Sequence, residues 1–250
     1  MAIPSLLARR SASDMQPRVL VIACGALARE LLAITELNGL TNVTVECLPA
    51  SLHNHPKEIP ELVRARIRRA RDQVGHTVSG TVCPTAPSTV GFNDNALLDN
   101  GTRHASGQFD EILIGYADCG TGGLLEKVCL EEGVEMLAGA HCYQFFATHD
   151  RFEQLQDHAL GSFYLTDFLA RNWERLIWEG MGIAKHPELR DMYFGNYTRC
   201  VYLEQSSDPK ALAAAHECAD RLGLELFIEP TGYGELETAV VEFTTKVTPT

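Results

Sequence analysis

Three cysteines stand where chemistry is most easily done. Cys24 closes the apolar run Val19-Leu20-Val21-Ile22-Ala23. Cys119 follows Ile112-Leu113-Ile114 within Gly115-Tyr116-Ala117-Asp118-Cys119-Gly120-Thr121-Gly122-Gly123. Cys142 lies just past Val134-Glu135-Met136-Leu137, in Gly139-Ala140-His141-Cys142-Tyr143. Each run reads as a strand, so each thiol is expected near a strand's carboxyl end. In parallel α/β sheets that edge binds ligands, because helix N-termini present free N–H groups there. A thiol in that position has its thiolate favoured.

Three thiolates converging on one cleft have few common uses. One is a [4Fe–4S] cluster with three protein ligands and one open iron. A second is zinc with an open position, where His141, His53 or His55 could add a nitrogen. A third is nucleophilic catalysis, with Cys119 attacking and Asp118 or His141 handling protons. The bland alternative is that the cysteines are small buried apolar residues. There is no C-x-x-C pair, so the metal reading rests on the fold and not on a local motif. A shared metal centre of Cys24, Cys119 and Cys142 is the preferred reading, with the iron–sulfur cluster ahead of zinc because no fixed fourth ligand is evident.

Around the thiols, Asp118, His141 and Tyr143 are the candidate catalytic residues, and Tyr116 is a candidate cleft residue. Gly25, Gly120, Gly122 and Gly123 are candidate cofactor-binding positions, where the backbone can turn tightly or approach a ligand. Glu30 and Asp167 could each react or merely brace.

The elements that must position these residues form three strand–helix–strand modules. In the first (18–75), the run at 19–23 leads to a helix over Ala26 to Asn38 and a strand over Val43 to Leu48. The loop Pro49 to Pro56 carries His53 and His55, and a helix spans Ile59 to Gln73. In the second (110–148), a strand at Glu111 to Tyr116 precedes a helix beginning near Gly123. In the third (199–243), strands at Cys200 to Glu204 and Leu224 to Glu229 flank a helix entered at Ser207-Asp208-Pro209. A last helix runs from Glu235 to about Phe243. Between the modules lie a polar insert (76–108) that includes Cys83, and a mainly helical segment (151–197) in which Thr166 is a helix cap. Residues 1–17 read as a flexible leader and 244–250 as a frayed tail. The expectation is a three-layer, Rossmann-like α/β fold with mainly parallel strands, built as one sheet or as lobes around a shared cleft.

Composition narrows the function. The formal net charge is −12, which argues against general nucleic-acid binding and against anionic membrane surfaces. No apolar run is long enough to span a bilayer, and the first residues lack the pattern of a secretory signal. Eight cysteines in a chain this large fit a reducing cytoplasm with free thiols better than a disulfide scaffold. Cys47, Cys129 and Cys218 are expected to be packing residues. The helix with Arg64, Arg66, Arg68, Arg69 and Arg71 is the one basic cluster. It reads as a solvated face or as a contact for an anionic ligand or an acidic partner.

Several of these stretches resemble the DUF1638 family: Ala23-Cys24-Gly25-Ala26-Leu27-Ala28-Arg29-Glu30, Leu48 to Pro56, Gly115 to Gly123, His141-Cys142-Tyr143 and Phe163-Tyr164-Leu165-Thr166-Asp167-Phe168. The resemblance spans most of residues 18–240. It implies company with corrinoid-dependent methyl transfer systems, and through that one-carbon chemistry, with any corrinoid held by a partner. The module layout also resembles quinolinate synthase, whose three lobes each give one cysteine to an iron–sulfur cluster. Two functions follow. One is a metal-dependent cytoplasmic enzyme, of methyltransferase or lyase type, acting on a small molecule. The other is a non-catalytic accessory protein that docks, through its arginine-rich helix, on a corrinoid protein or methyltransferase.

Overall fold

The computed structural model describes residues 17–72, the backbone of 97–98, and 109–247. Cys83, the leader up to residue 16 and most of the insert at 76–108 lie outside them.

Continuous apolar runs suit strands covered on both faces; β1 (Val19–Cys24) and β4 (Glu111–Gly115) carry such runs, while β2 (Val43–Leu48) alternates buried and half-buried residues. With the two-residue strands β3 (Leu97–Leu98) and β5 (Glu135–Met136) they form one sheet in the order β3-β2-β1-β4-β5. Every pairing is parallel except β2–β3. The insert therefore contributes an edge strand where an unstructured segment was expected.

Helices α1 (Ala28–Leu37), α2 (Ile59–Asp72) and α3 (Leu124–Glu132) connect these strands. The chain steps from β1 to β2 in one direction, then returns past β1 to β4 and on to β5 in the other. Right-handed connections then place α1 on one face and α2 with α3 on the other. The packing agrees: α2 lies against α3, and α1 lies against α8 (Gly234–Val247). The expected three layers are present.

The chain then builds a second sheet, β6 (Ser162–Thr166), β7 (Arg199–Glu204) and β8 (Glu225–Pro230), all parallel and in that order. Around it lie α4 (His149–His158), α5 (Asp167–Arg171), α6 (Leu189–Phe194) and α7 (Pro209–Leu222). Two sequence expectations are corrected here. Ser162–Thr166 is a strand, not part of a helical segment, although Thr166 does cap the helix that follows, accepting from the Leu169 N–H. The supposed tail is helical to Val247, and Thr244 is buried.

The two sheets have separate hydrophobic cores. Helix α8 leaves the second lobe and buries Leu236, Val240 and Phe243 in the core of the first. The fold is thus two Rossmann-like lobes tied by a returning helix, and not the three lobes of the quinolinate synthase comparison.

Candidate functional site

Strand β1 has β2 on one side and β4 on the other, so the chain's direction reverses at its carboxyl end. That is the switch point at which open α/β sheets hold ligands. Cys24 is its last residue. Its sulfur accepts from the Ala26 N–H at 3.5 Å and starts a short 3₁₀ turn.

Cys119 and Cys142 arrive on two loops that are zipped together. The Asp118 N–H donates to Gly139 O at 3.0 Å and the Cys119 N–H to Ala140 O at 2.8 Å. Cys119 holds φ at +49°, a left-handed conformation uncommon outside glycine and strained for a side chain of this kind. The result is that Cys119 Sγ and Cys142 Sγ lie 2.8 Å apart. Cys142 also reaches Cys24, so one thiol bridges the other two.

The three thiols do not titrate alike. Cys142 lies against Cys119, where either sulfur could donate, and its interactions with Cys119 and Cys24 hold its thiol well above the ordinary range. The same hydrogen bonds favour the thiolates of Cys24 and Cys119, lowering both against the opposing effect of burial. The geometry is that of a protonated thiol shared between two incipient thiolates. All three come from the first lobe.

The second lobe supplies the facing wall. Between the lobes lies a mainly apolar cleft of about 270 Å³, bounded by the thiols, Tyr116, His141 and Tyr143 on one side and by Tyr164, Phe168 and Leu176 on the other. Asn54 Nδ2 donates to Leu176 O at 2.9 Å and ties the two walls. His141 stacks on Tyr143 at 5.0 Å, and Tyr143 stacks on Tyr164 at 5.6 Å. Burial holds His141 below its usual pKa, so its ring is neutral at pH 7. Burial pushes Tyr143 upward, so it stays a phenol. His53 sits at the rim, where the surrounding protein and the nearby His141 lower its pKa. His55 does not line the cleft. Tyr116 is 1% exposed, and its hydroxyl is among the groups that lower the Cys24 thiol.

Other predicted residues have different work. The Asp118 carboxylate accepts from Thr121 Oγ1 at 2.8 Å, the Gly123 N–H at 2.7 Å and the Gly122 N–H at 3.1 Å. Those bonds, led by Gly123, hold it ionised below the usual carboxylate range. Asp118 folds the loop at the start of α3 and does not line the cleft. The amides of Gly122 and Gly123 are accordingly committed to it. Of the glycines of this loop, Gly120 lines the cleft, beside Cys119. At Gly25 a Cβ would meet Leu48 O at 3.0 Å, which makes this glycine a matter of strand-end packing.

Four of the five arginines of the basic cluster are also occupied. Arg64 pairs with Glu131 at 2.7 Å, Arg68 with Glu132 at 2.8 Å, and Arg71 with Glu132 at 3.3 Å. Arg66 pairs with Glu46 at 3.0 Å. The acidic partner of this helix is the end of α3 in its own chain. The wall from β6 and α5 went unforeseen because 151–197 read as helical; the stacking run Tyr143-Tyr164 had no local signal.

Among the described residues, no three His, Cys, Asp or Glu side chains already have the spacing of ligands around one ion. The thiols are in mutual contact instead. No described helix is long and apolar enough to cross a membrane. A family model, described as a protein of unknown function (DUF1638), matches residues 95–240. That span includes the loops of Cys119 and Cys142 but not Cys24 or His53. No curated protein and no solved structure matches the chain.

Proposed function

The chain belongs to the DUF1638 family, and since that description assigns no activity, we propose from the site itself that Cys24, Cys119 and Cys142 form a thiolate centre for one soft metal ion, zinc foremost, serving chemistry on a small molecule in the adjoining cleft. One observation carries this reading: three thiols from three separate strand ends meet at the switch point, two of them poised to ionise. Soft thiolates select ions such as zinc. Zn–S bonds of about 2.3 Å in a tetrahedral site keep sulfurs roughly 3.8 Å apart, so Cys119 and Cys142 would separate by about 1 Å on binding. A cubane cluster ligates each thiolate through a different iron and needs a wider spread. The compact trio therefore favours the single ion over the cluster.

A bound ion of this kind supplies Lewis acidity or activates a substrate thiol, which suits methyl or other one-carbon transfer. The chain's own residues do the rest. Tyr116 supports the Cys24 thiolate from the cleft wall. Tyr143, Tyr164 and Phe168 exclude water. Neutral His141 can accept a proton at the cleft wall. An accessory role beside a corrinoid protein now rests on family resemblance alone, since the arginines that motivated it are paired within the chain.

Anaerobic purification followed by elemental analysis tests the proposal. About one equivalent of zinc per chain is expected, lost in Cys24→Ser, Cys119→Ser and Cys142→Ser and kept in Cys200→Ser. A wild-type protein that takes up no zinc when reconstituted would sink it. A brown, iron- and sulfide-bearing protein would replace the ion with the cluster.

The 2.8 Å contact favours a second reading, a redox dithiol. Closing Cys119 and Cys142 to an S–S bond of about 2.05 Å releases two protons and two electrons, which a disulfide substrate in the cleft takes up on being cleaved to two thiols. Reversible loss of two titratable thiols on mild oxidation, in protein that binds no zinc, would select it.

A further inference from the structure

A second pocket lies on the other side of the interlobe junction. Its walls are Arg29 and Glu30 of α1, Asp167 and Arg171 of α5, Ser206 after β7, and Tyr233 before α8. It is about 260 Å³ and polar, which suits a molecule the size of an amino acid better than a nucleotide.

Most of its polar groups are satisfied. Asp167, 1% exposed, accepts from Tyr202 Oη at 2.6 Å, from the Gln205 N–H at 3.2 Å and from Ser206 Oγ. Arg171 donates to Asp208 at 2.7 Å and lies 3.7 Å from Asp167. Two groups are left over. Glu30 is only 5% exposed, yet its Oε2 has no hydrogen-bond partner. Such an atom costs stability unless something fills the pocket and bonds to it. Arg29, one residue earlier on the same helix, makes no ion pair among the described residues. Burial raises the Glu30 carboxyl to about 7, with Asp167 adding to the rise and Glu30's own backbone N–H, Arg171 and Arg29 opposing it. A cationic donor is what would return that carboxyl to its ionised form.

We propose that this pocket is a second small-molecule site, and that it takes a ligand bearing both an amine and a carboxylate, an α-amino acid or a close relative. The ligand's ammonium donates to Glu30 Oε2, and its carboxylate meets the Arg29 guanidinium. A divalent cation fits less well. Two guanidinium groups share the pocket, and the acceptor sites of Asp167 are already taken by hydrogen-bond donors. The site is separate from the thiols but adjoins them. Thr166 and Phe168 line the thiol cleft while Asp167, between them, lines this pocket. One short turn is the wall of both.

Ligand-observed NMR and thermal shift on the intact chain, with the common L-amino acids as probes, test this. At least one should bind and raise the melting temperature, while its deaminated acid and its decarboxylated amine should not. Glu30→Gln, shown folded by circular dichroism, and Arg29→Ala should each weaken that binding by ~10-fold or more, the loss of one charge-assisted contact. Replacing Cys24, Cys119 and Cys142 together by Ser should leave it unchanged, which keeps this site independent of the thiol centre. Absence of binding by every L-amino acid overturns the proposal. So does binding that survives both Glu30→Gln and Arg29→Ala, or that vanishes with the thiols. Magnesium or inorganic phosphate saturating the pocket in a Glu30-dependent way would assign it to an ion instead.

Discussion

Each lobe brings cysteines together, and the two groups differ in everything but residue type. In the first lobe, Cys24, Cys119 and Cys142 meet beyond the strand ends, bordering a cleft and bonded to one another. In the second, Cys200 lies within β7 and Cys218 within α7, both in the apolar core. Burial pushes each of those thiols up to about 12. Cys47 and Cys129 of the first lobe behave in the same way, at about 12 and about 11. A thiol inside an element sees only desolvation, which disfavours the thiolate. At the strand ends, backbone N–H groups and the neighbouring Cys142 favour the thiolates of Cys24 and Cys119, while Cys142 itself keeps its proton. Position along the strand, more than depth of burial, separates chemistry from packing.

The largest expected effect is on reactivity. In reduced, metal-free protein at neutral pH, iodoacetamide should modify Cys119 at least ~100-fold faster than Cys200 or Cys218, because the thiolate is the nucleophile and it is favoured at Cys119 but suppressed by burial at the other two. Peptide mapping by mass spectrometry reads this directly. Equal rates for the two groups would erase the distinction between them.

A smaller effect should isolate the bridging thiol. Cys142→Ala removes the proton donor that favours the Cys119 thiolate, so labelling of Cys119 should slow by ~10-fold, about the value of one hydrogen bond to a charged group. Cys218→Ala should leave that rate untouched. If Cys142→Ala left it unchanged too, the loop amides alone would account for the reactivity of Cys119.

How much of this contrast could be read in the residues follows from what is local. The runs Val19–Ala23 and Ile112–Ile114 are apolar throughout, so β1 and β4 were legible, and with them the placement of Cys24 and Cys119 at one sheet edge. Ser162–Thr166 mixes polar and aromatic residues beside helical neighbours, and its strand character comes from pairing with β7, a contact no local pattern encodes. Hence one wall of the cleft was missed. Asp118 read as a proton-handling residue because it stands beside Cys119 just past a strand. The positive φ values at Cys119, Gly120, Gly122 and Gly123 fold those amides back onto the carboxylate, and backbone reversals of that kind are invisible in residue types. The pairing of Arg64 and Arg68 with Glu131 and Glu132 joins α2 to α3 across more than sixty positions, so the helix looked like a free basic face.

The finest test separates strain from packing. Cys119 sits at φ +49°, where a side chain costs about 1–3 kcal/mol and glycine is at ease. Cys119→Gly therefore relieves strain while it loses a half-buried sulfur and loosens the unfolded chain. These terms offset, and stability should stay within about 0.5 kcal/mol of wild type. Cys218→Ala has no strain to relieve. It leaves a void beside Ala170, whose carbonyl the thiol approaches at 3.9 Å, and should cost about 1–2 kcal/mol. Urea midpoints of the two variants, measured reduced and metal-free, decide the matter. A cost at Cys119 equal to that at Cys218 would make Cys119 one more packing cysteine. A negligible cost at Cys119 beside a clear one at Cys218 means the first lobe holds a thiol in a conformation that folding alone does not require.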